Sequence, residues 1–151
     1  MKVINKAIGK IYPYKNNPRH NANAIEYVAS SIRRFGFNNP ILIDKDGVII
    51  SGHTRYEAAK ILGLKKIPCV MAEDMTEEQI KAFRLVDNKV GEQSTWDWEK
   101  LQTELQAITG LDMEKEFGFE KIDLTPPEPK TKPEKNEYEC KCPKCGKKFE
   151  V

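Results

Sequence analysis

The sequence has no apolar run approaching the roughly 18 residues that a helical membrane span requires, and no charged-then-apolar segment of the secretory kind opens it. No membrane partner is expected, and the expected compartment is the cytoplasm. Net charge is nearly absent as well, at +2 over 151 residues. Seven lysines and five glutamates in residues 128–151 account for all of it, which leaves residues 1–127 neutral overall. A neutral body is a poor match for nonspecific duplex binding, which needs several phosphate-facing cations, although a local basic patch remains compatible with it. Cysteine is scarce: of four, three crowd into "ECKCPKCGKKF" (Cys140, Cys142, Cys145), and Cys69 stands alone in an apolar stretch. A secreted disulfide scaffold spreads its cysteines through a small core, so this pattern points to metal or free thiols in a reducing compartment, with Cys69 as core filler. No internal repeat is present.

What is there reads as one α+β domain with a small sheet and flanking helices, a tether, and a cysteine-rich tail. Residues 2–12 alternate enough for a short strand, and "YPYKNNPRHNANA" then breaks every regular pattern as an exposed loop. Ile25, Val28, Ile32 and Phe35 recur at helical spacing, with Asn23 as cap and Gly36 as stop, which predicts a helix over 24–35. Residues 40–44 and 48–51 flank the hairpin turn "DKDG". A helix over 53–62 ending at Gly63 and a buried strand over 67–72 follow. Thr76 and Gln79 have the spacing of a capping box that starts a helix carrying Ile80, Phe83 and Val86. The last helix is expected from about Trp96 through Ile108, with Trp96 stapling its entry to the core. Beyond Leu124, "TPPEPKTKPEKNE" has four prolines and almost nothing apolar, the composition of an extended linker. The expected division is a body over 1–124, a linker over 125–137 and a tail over 138–151.

The stretch Ser51-Gly52-His53-Thr54-Arg55 places a glycine between a predicted strand and a predicted helix. The first N–H groups of a helix lack intrahelical partners and sit at the positive end of its dipole, so this turn is built to hold an anion. Thr54 adds a hydroxyl, Arg55 a planar fork suited to phosphate, and His53 a further donor. The plainer alternative is that Gly52 only makes the turn, His53 caps the helix and Arg55 pairs with a surface carboxylate.

The text "SIRRFGFNNPILIDKDGVIISGHTRYEAAKILGLKKIPCV" resembles the ParB/sulfiredoxin superfamily over about residues 4–122: a helix ending in Gly, Pro-Ile entering a strand, a Gly-x-x-Arg turn, an Ala-Ala helix, Leu-Gly and a strand. In the ParB branch the corresponding turn binds nucleotide phosphates; Gly52 and Arg55 match it, while His53 and Thr54 replace the middle pair. In sulfiredoxin the turn carries the catalytic cysteine. His53 stands there instead, so the resemblance does not extend to sulfinic acid reduction. An Asn-Pro-Arg loop, matched by Asn17-Pro18-Arg19, implies that Arg19 reaches a phosphate or base. ParB proper carries Glu-Asn and then an arginine on the later helix, where they help hold nucleotide and magnesium; Asp87 and Asn88 match in kind, and Gly91 stands in place of the arginine. "RLVDNKVGEQSTWDWEKLQTEL" and "LDMEKEFGFEKIDL" resemble the branch linked to phage and bacterial DNA methyltransferases.

In the tail, Cys142-Pro-Lys-Cys145-Gly has the form of a zinc knuckle and resembles half of a zinc ribbon. Cys140 is the obvious third ligand; a fourth could come from water, from His20 or His53, or from another chain, as in a symmetric dimer sharing one metal through paired Cys142 and Cys145, and the plainer alternative is an unmetallated tail. The expected function is that of a ParB-like protein of phage or prophage type that binds CTP or ATP with Mg2+ and acts in DNA binding, modification or regulation. Phosphates would lie at Arg19, Ser51, Gly52, His53, Thr54 and Arg55, with Asp87 and Asn88 orienting a divalent ion. DNA or a DNA-modifying protein is the expected macromolecular partner, and NTP hydrolysis or phosphotransfer is open. Two alternatives stand beside it: a non-catalytic adaptor that dimerises through a zinc tail, and a small-molecule kinase of the free-serine type using Glu26 as base.

Overall fold

The computed structural model describes residues 2–119 and the backbone of 140–141 and 148–149. The chain divides into two compact units, Met1–Lys121 and Ile122–Val151. In the first, strands β1 (Val3–Ala7), β2 (Ile41–Ile43), β3 (Ile49–Ser51) and β4 (Lys66–Met71) form a sheet of order β1-β4-β2-β3. β4 runs antiparallel to β1 and parallel to β2, and β2 runs antiparallel to β3. The helices are α1 (Ile25–Phe35), α2 (His53–Ile61), α3 (Glu77–Gly91), α4 (Trp98–Ala107) and α5 (Met113–Phe117). The second unit pairs β5 (Cys140–Lys141) with β6 (Lys148–Phe149) antiparallel, Cys140 opposite Phe149. This is the mixed sheet with flanking helices expected of a ParB/sulfiredoxin-like fold.

The short strands hold together because side chains on both faces of the sheet are buried. Ile41, Ile43, Ile49, Ile67 and Cys69 are closed from solvent on the face that takes Tyr56 and Ala59 of α2. β-Branched side chains suit this pleated, enclosed surface. Ala29 on α1 and Ala58 on α2 are also fully buried, and their small size lets the two helices pack closely. On the other face, Ile50 and Leu42 meet Ile80 and Phe83 of α3. The hairpin turn is tied by Asp44, whose Oδ1 accepts from the N–H groups of Asp46 at 3.0 Å and Val48 at 2.8 Å.

Several element ends differ from expectation for local reasons. The first strand stops at Ala7 in a single 3-10 turn, Ile8–Lys10, and Tyr12 then returns beside β3: its N–H donates to the Gly47 carbonyl at 2.9 Å, and its carbonyl accepts from Ile49 at 2.8 Å. Asn23 lies inside a 3-10 turn, Ala22–Ala24, and makes no cap; α1 begins at Ile25. The capping box of α3 forms as expected, with Thr76 Oγ1 accepting from the Gln79 N–H and Gln79 Oε1 from the Thr76 N–H. α4 starts two residues later than expected because the Asp97 carboxylate caps it, accepting from the Lys100 N–H at 3.2 Å. Trp96 is thereby left outside the helix. It is 59 % exposed and meets the edge of Phe119, centroids 6.4 Å apart, so it does not staple α4 to the core. α5, which the sequence pattern left unassigned, is capped by Asp112 and lays Phe117 on Phe35 of α1, centroids 5.4 Å apart.

Candidate functional site

Gly52 sits between β3 and α2 with φ +104° and ψ 26°, a backbone region that residues other than glycine rarely adopt. A Cβ at this position would stand 3.2 Å from Ile41 Cγ1 and 3.3 Å from Arg55 Nε and Cζ. Gly52 is itself the N-cap of α2, and no side chain caps that helix. The first intrahelical bond runs from the Tyr56 N–H to the Gly52 carbonyl at 3.0 Å, so the N–H groups of the first turn are open to a ligand. His53 is thus the first helical residue and not the cap.

These groups floor an open cleft of about 580 Å³, within the range of small-ligand sites. The loop over residues 13–21 contributes Asn17, Arg19 and Asn21, and α1 contributes Val28, Ile32 and Phe35. The turn after α1 adds Phe37, Asn38 and Asn39, and α3 adds Arg84, Asp87 and Asn88. Every phosphate or ion residue expected from the sequence (Arg19, residues 51–55, Asp87 and Asn88) lines this one cleft. Glu26 does not; it lies exposed on α1. Cys142 and Cys145 lie outside the described residues, and of Cys140 only the backbone, in β5, is described.

The polar groups are organised in pairs. Arg19 Nη1 donates to Asn88 Oδ1 at 2.7 Å across 69 residues of sequence, and Ser51 Oγ donates to Asp87 Oδ2 at 2.8 Å. Arg55 does not pair with a surface carboxylate. Its Nη1 donates to the carbonyls of Asn39 and Pro40, both at 2.7 Å, which ties the turn after α1 to α2. Burial lowers its affinity for a proton, and the Asp87 carboxylate opposes that shift. His53 Nε2 accepts the Tyr14 N–H at 3.2 Å, and its pKa is lowered first by burial and then by the Arg84 charge, against Glu57. Among the lining residues three arginines face one carboxylate. Arg84 is paired with Asp44 outside the lining, so Arg19 and Arg55 against Asp87 leave the cleft with a small positive excess in a body that is neutral overall.

Arg84 and Tyr14 were not singled out from the sequence. Arg84 is 8 % exposed; its Nε donates to the Ile49 carbonyl at 3.2 Å, and its guanidinium carbon lies 3.9 Å from the Tyr14 ring centroid. The available signal was spacing: Ile80, Arg84 and Asn88 recur every four residues on one stripe of α3.

The profile of the ParB N-terminal domain matches residues 2–89. This chain belongs to that family. Among its relatives, the ParB-like nuclease domain-containing protein YnaK of Escherichia coli K12 is 35 % identical over 80 residues, covering 52 % of this chain and 92 % of that protein. The chromosome-partitioning protein ParB of Myxococcus xanthus is 34 % identical over 91 residues, 57 % of this chain but only 30 % of that longer protein. In fold, this ParB-type domain is similar to the C-terminally truncated chromosome-partitioning protein ParB of Caulobacter crescentus, solved in complex with CTP-gamma-S, with a TM-score of 0.61 and 20 % identity over 76 % of this chain and 64 % of that one. Among the described residues no helix is long and apolar enough to cross a membrane.

Proposed function

We propose that the cleft binds a nucleoside triphosphate, with CTP the first candidate and ATP the second. The observation that carries this reading is the convergence of Arg19, the uncapped start of α2 at Gly52, and the Asp87–Asn88 pair, from three separate segments, on one cavity. The phosphates lie against the open N–H groups of α2, with the Thr54 hydroxyl and the Nδ1 side of His53 as further donors and Arg19 closing from the loop. Asp87 presents a carboxylate suited to a hydrated Mg2+, which keeps several waters and takes one or two protein oxygens, and Asn88 Oδ1, which accepts from Arg19, has a second lone pair to orient one of those waters. Phe35, Phe37 and Ile32 offer the apolar surface that a base requires. The CTP-gamma-S complex of the Caulobacter protein is consistent with this assignment.

The domain then acts in DNA binding, modification or regulation, in a phage or prophage setting, with DNA or a DNA-modifying protein as partner. Cys140, Cys142 and Cys145 supply thiolates for Zn2+, and a second copy of the chain completes the tetrahedral set. Native mass spectrometry of the full chain tests the tail: one zinc per dimer is expected, and a metal-free monomer would remove that part of the reading.

Isothermal titration of CTP, ATP and GTP, each with Mg2+, into the full chain tests the cleft. One nucleotide binds, and Arg19→Ala weakens it while leaving the fold intact, because Arg19 is exposed and, among the described residues, bonds Asn17 and Asn88 alone. No binding of any nucleotide overturns the proposal. Binding without turnover identifies a non-catalytic adaptor, whereas release of phosphate identifies an NTPase.

A further inference from the structure

The nucleotide reading leaves a buried cation, Arg84, without a role. Its side chain is held on three sides: Nε by the Ile49 carbonyl, Nη2 by Asp44 Oδ2 at 3.6 Å, and the guanidinium face by the Tyr14 ring. A guanidinium over an aromatic face is attracted by the ring quadrupole, most strongly where water is excluded. Tyr14 stands at the start of the loop that carries Asn17 and Arg19, so the stack pins one end of that loop to α3. The other end of the contact returns to the same helix. Asn88 Nδ2 donates to the Arg84 carbonyl at 2.7 Å, and Asn88 Oδ1 accepts from Arg19.

The pinned residue also decides the chemistry of His53. The Tyr14 backbone N–H donates to Nε2, and an imidazole nitrogen that accepts a hydrogen bond carries no proton. The ring is therefore neutral with its proton on Nδ1. Burial and the Arg84 charge favour the same neutral form; Glu57, on α2 itself, is the charge that opposes it.

We propose that Arg84 and Tyr14 are positioning residues of the cleft, whose stack holds the 13–21 loop so that the Tyr14 amide fixes His53 as the Nδ1–H tautomer while Arg19 stays against Asn88. The functional meaning of this arrangement rests on the anion-binding reading above. A fixed Nδ1–H tautomer gives His53 one N–H donor and no free lone pair, the state that suits an anionic oxygen. The freely exchanging ring of an exposed histidine would offer that donor only part of the time.

The test is side-chain 15N NMR of the full chain at neutral pH. With only two histidines, His20 and His53, the spectrum is assigned by one His20→Gln variant. The expected wild-type signal is a neutral His53 with a protonated Nδ1 and an unprotonated Nε2. Tyr14→Leu removes the ring but keeps the N–H and is expected to give mixed tautomers; Tyr14→Phe, which keeps the ring, restores the single form. Arg84→Met is expected to match Tyr14→Leu. If it fails to fold, the two Tyr14 variants still decide the matter. In parallel, Tyr14→Leu weakens CTP binding by up to about tenfold, the scale of one lost hydrogen bond, and Tyr14→Phe does not. A wild-type His53 protonated on Nε2, or a Tyr14→Leu spectrum identical to wild type, overturns the proposal. Failure of the wild-type chain to bind any nucleotide overturns the functional reading instead, and the tautomer result remains decisive for the positioning role.

Discussion

Gly52→Ala separates backbone geometry from ligand chemistry at the cleft. The substitution forces a non-glycine residue to φ +104°, at a cost of about 1–2 kcal/mol for the left-handed region. It also places a methyl 3.2 Å from Ile41 and 3.3 Å from the Arg55 guanidinium. Neither neighbour yields easily, since Ile41 is fully buried and Arg55 is anchored on two carbonyls. Overpacking of this kind adds about 1–3 kcal/mol. The internal control is Gly63→Ala: Gly63 has φ +66°, and a methyl added there would meet nothing within 4 Å, so it carries the backbone cost alone. The entropy gained by restricting the unfolded chain is common to both variants and cancels in their difference. Urea unfolding followed by far-ultraviolet circular dichroism is the assay, because Trp96 and Trp98 are 59 % and 43 % exposed and report poorly on the core. Gly52→Ala is expected to lose about 1–3 kcal/mol more than Gly63→Ala. Equal losses would refute the claim that the backbone at Gly52 is held in close contact.

Other substitutions probe the elements that frame the site. Thr76→Ala removes the oxygen that caps α3 and is expected to cost about 1 kcal/mol in urea unfolding, with Gln79→Ala costing less. Asp44→Ala removes both the turn acceptor and the carboxylate facing Arg84, whose side chain is only 9 % exposed; leaving that buried cation unpaired is expected to cost about 3–5 kcal/mol, and Asp44→Asn, which keeps an acceptor for the turn, costs less. Because the folded pKa of His53 lies below its ordinary 6.5, the unfolded chain binds the extra proton between the two values. Stability from this group is therefore complete above that window and falls as the pH drops through it, and comparison of unfolding curves across the window with His53→Gln should show the slope flattened. Cys69 is closed from solvent and its thiol is pushed up by burial, so peptide mapping after iodoacetamide treatment of the native chain should find it unmodified until denaturant is added.

Much of the frame was legible because it rests on local chemistry. β-Rich segments on either side of the DKDG turn marked β2 and β3, the Thr76–Gln79 spacing marked the start of α3, and Gly36 and Gly52 marked turns that the chain does make. Where the reading missed, a competing local group had won. Asp97 is a better cap than anything two residues earlier, so α4 begins at Trp98 and leaves Trp96 exposed. α5 is a single short turn with too few residues for a periodic signal, and its contact with Phe35 joins segments some eighty residues apart. Arg84 was hidden for a related reason. A charged residue on a helix reads as solvent-facing unless its partners are known, and those partners are a main-chain carbonyl, a turn carboxylate and a loop tyrosine from distant parts of the chain.

The sequence by itself determined the strand-turn-helix at Gly52, the set of residue types able to hold an anion, and the family to which the chain belongs, because short-range spacing carries all three. Only the tertiary structure decided that Arg19, Ser51–Arg55 and Asp87–Asn88 share one cleft, that Arg55 holds the turn after α1 through main-chain carbonyls, and that His53 is an acceptor at Nε2. Each of those depends on contacts across tens of residues, which hydrophobic burial of the sheet brings together and no local propensity encodes.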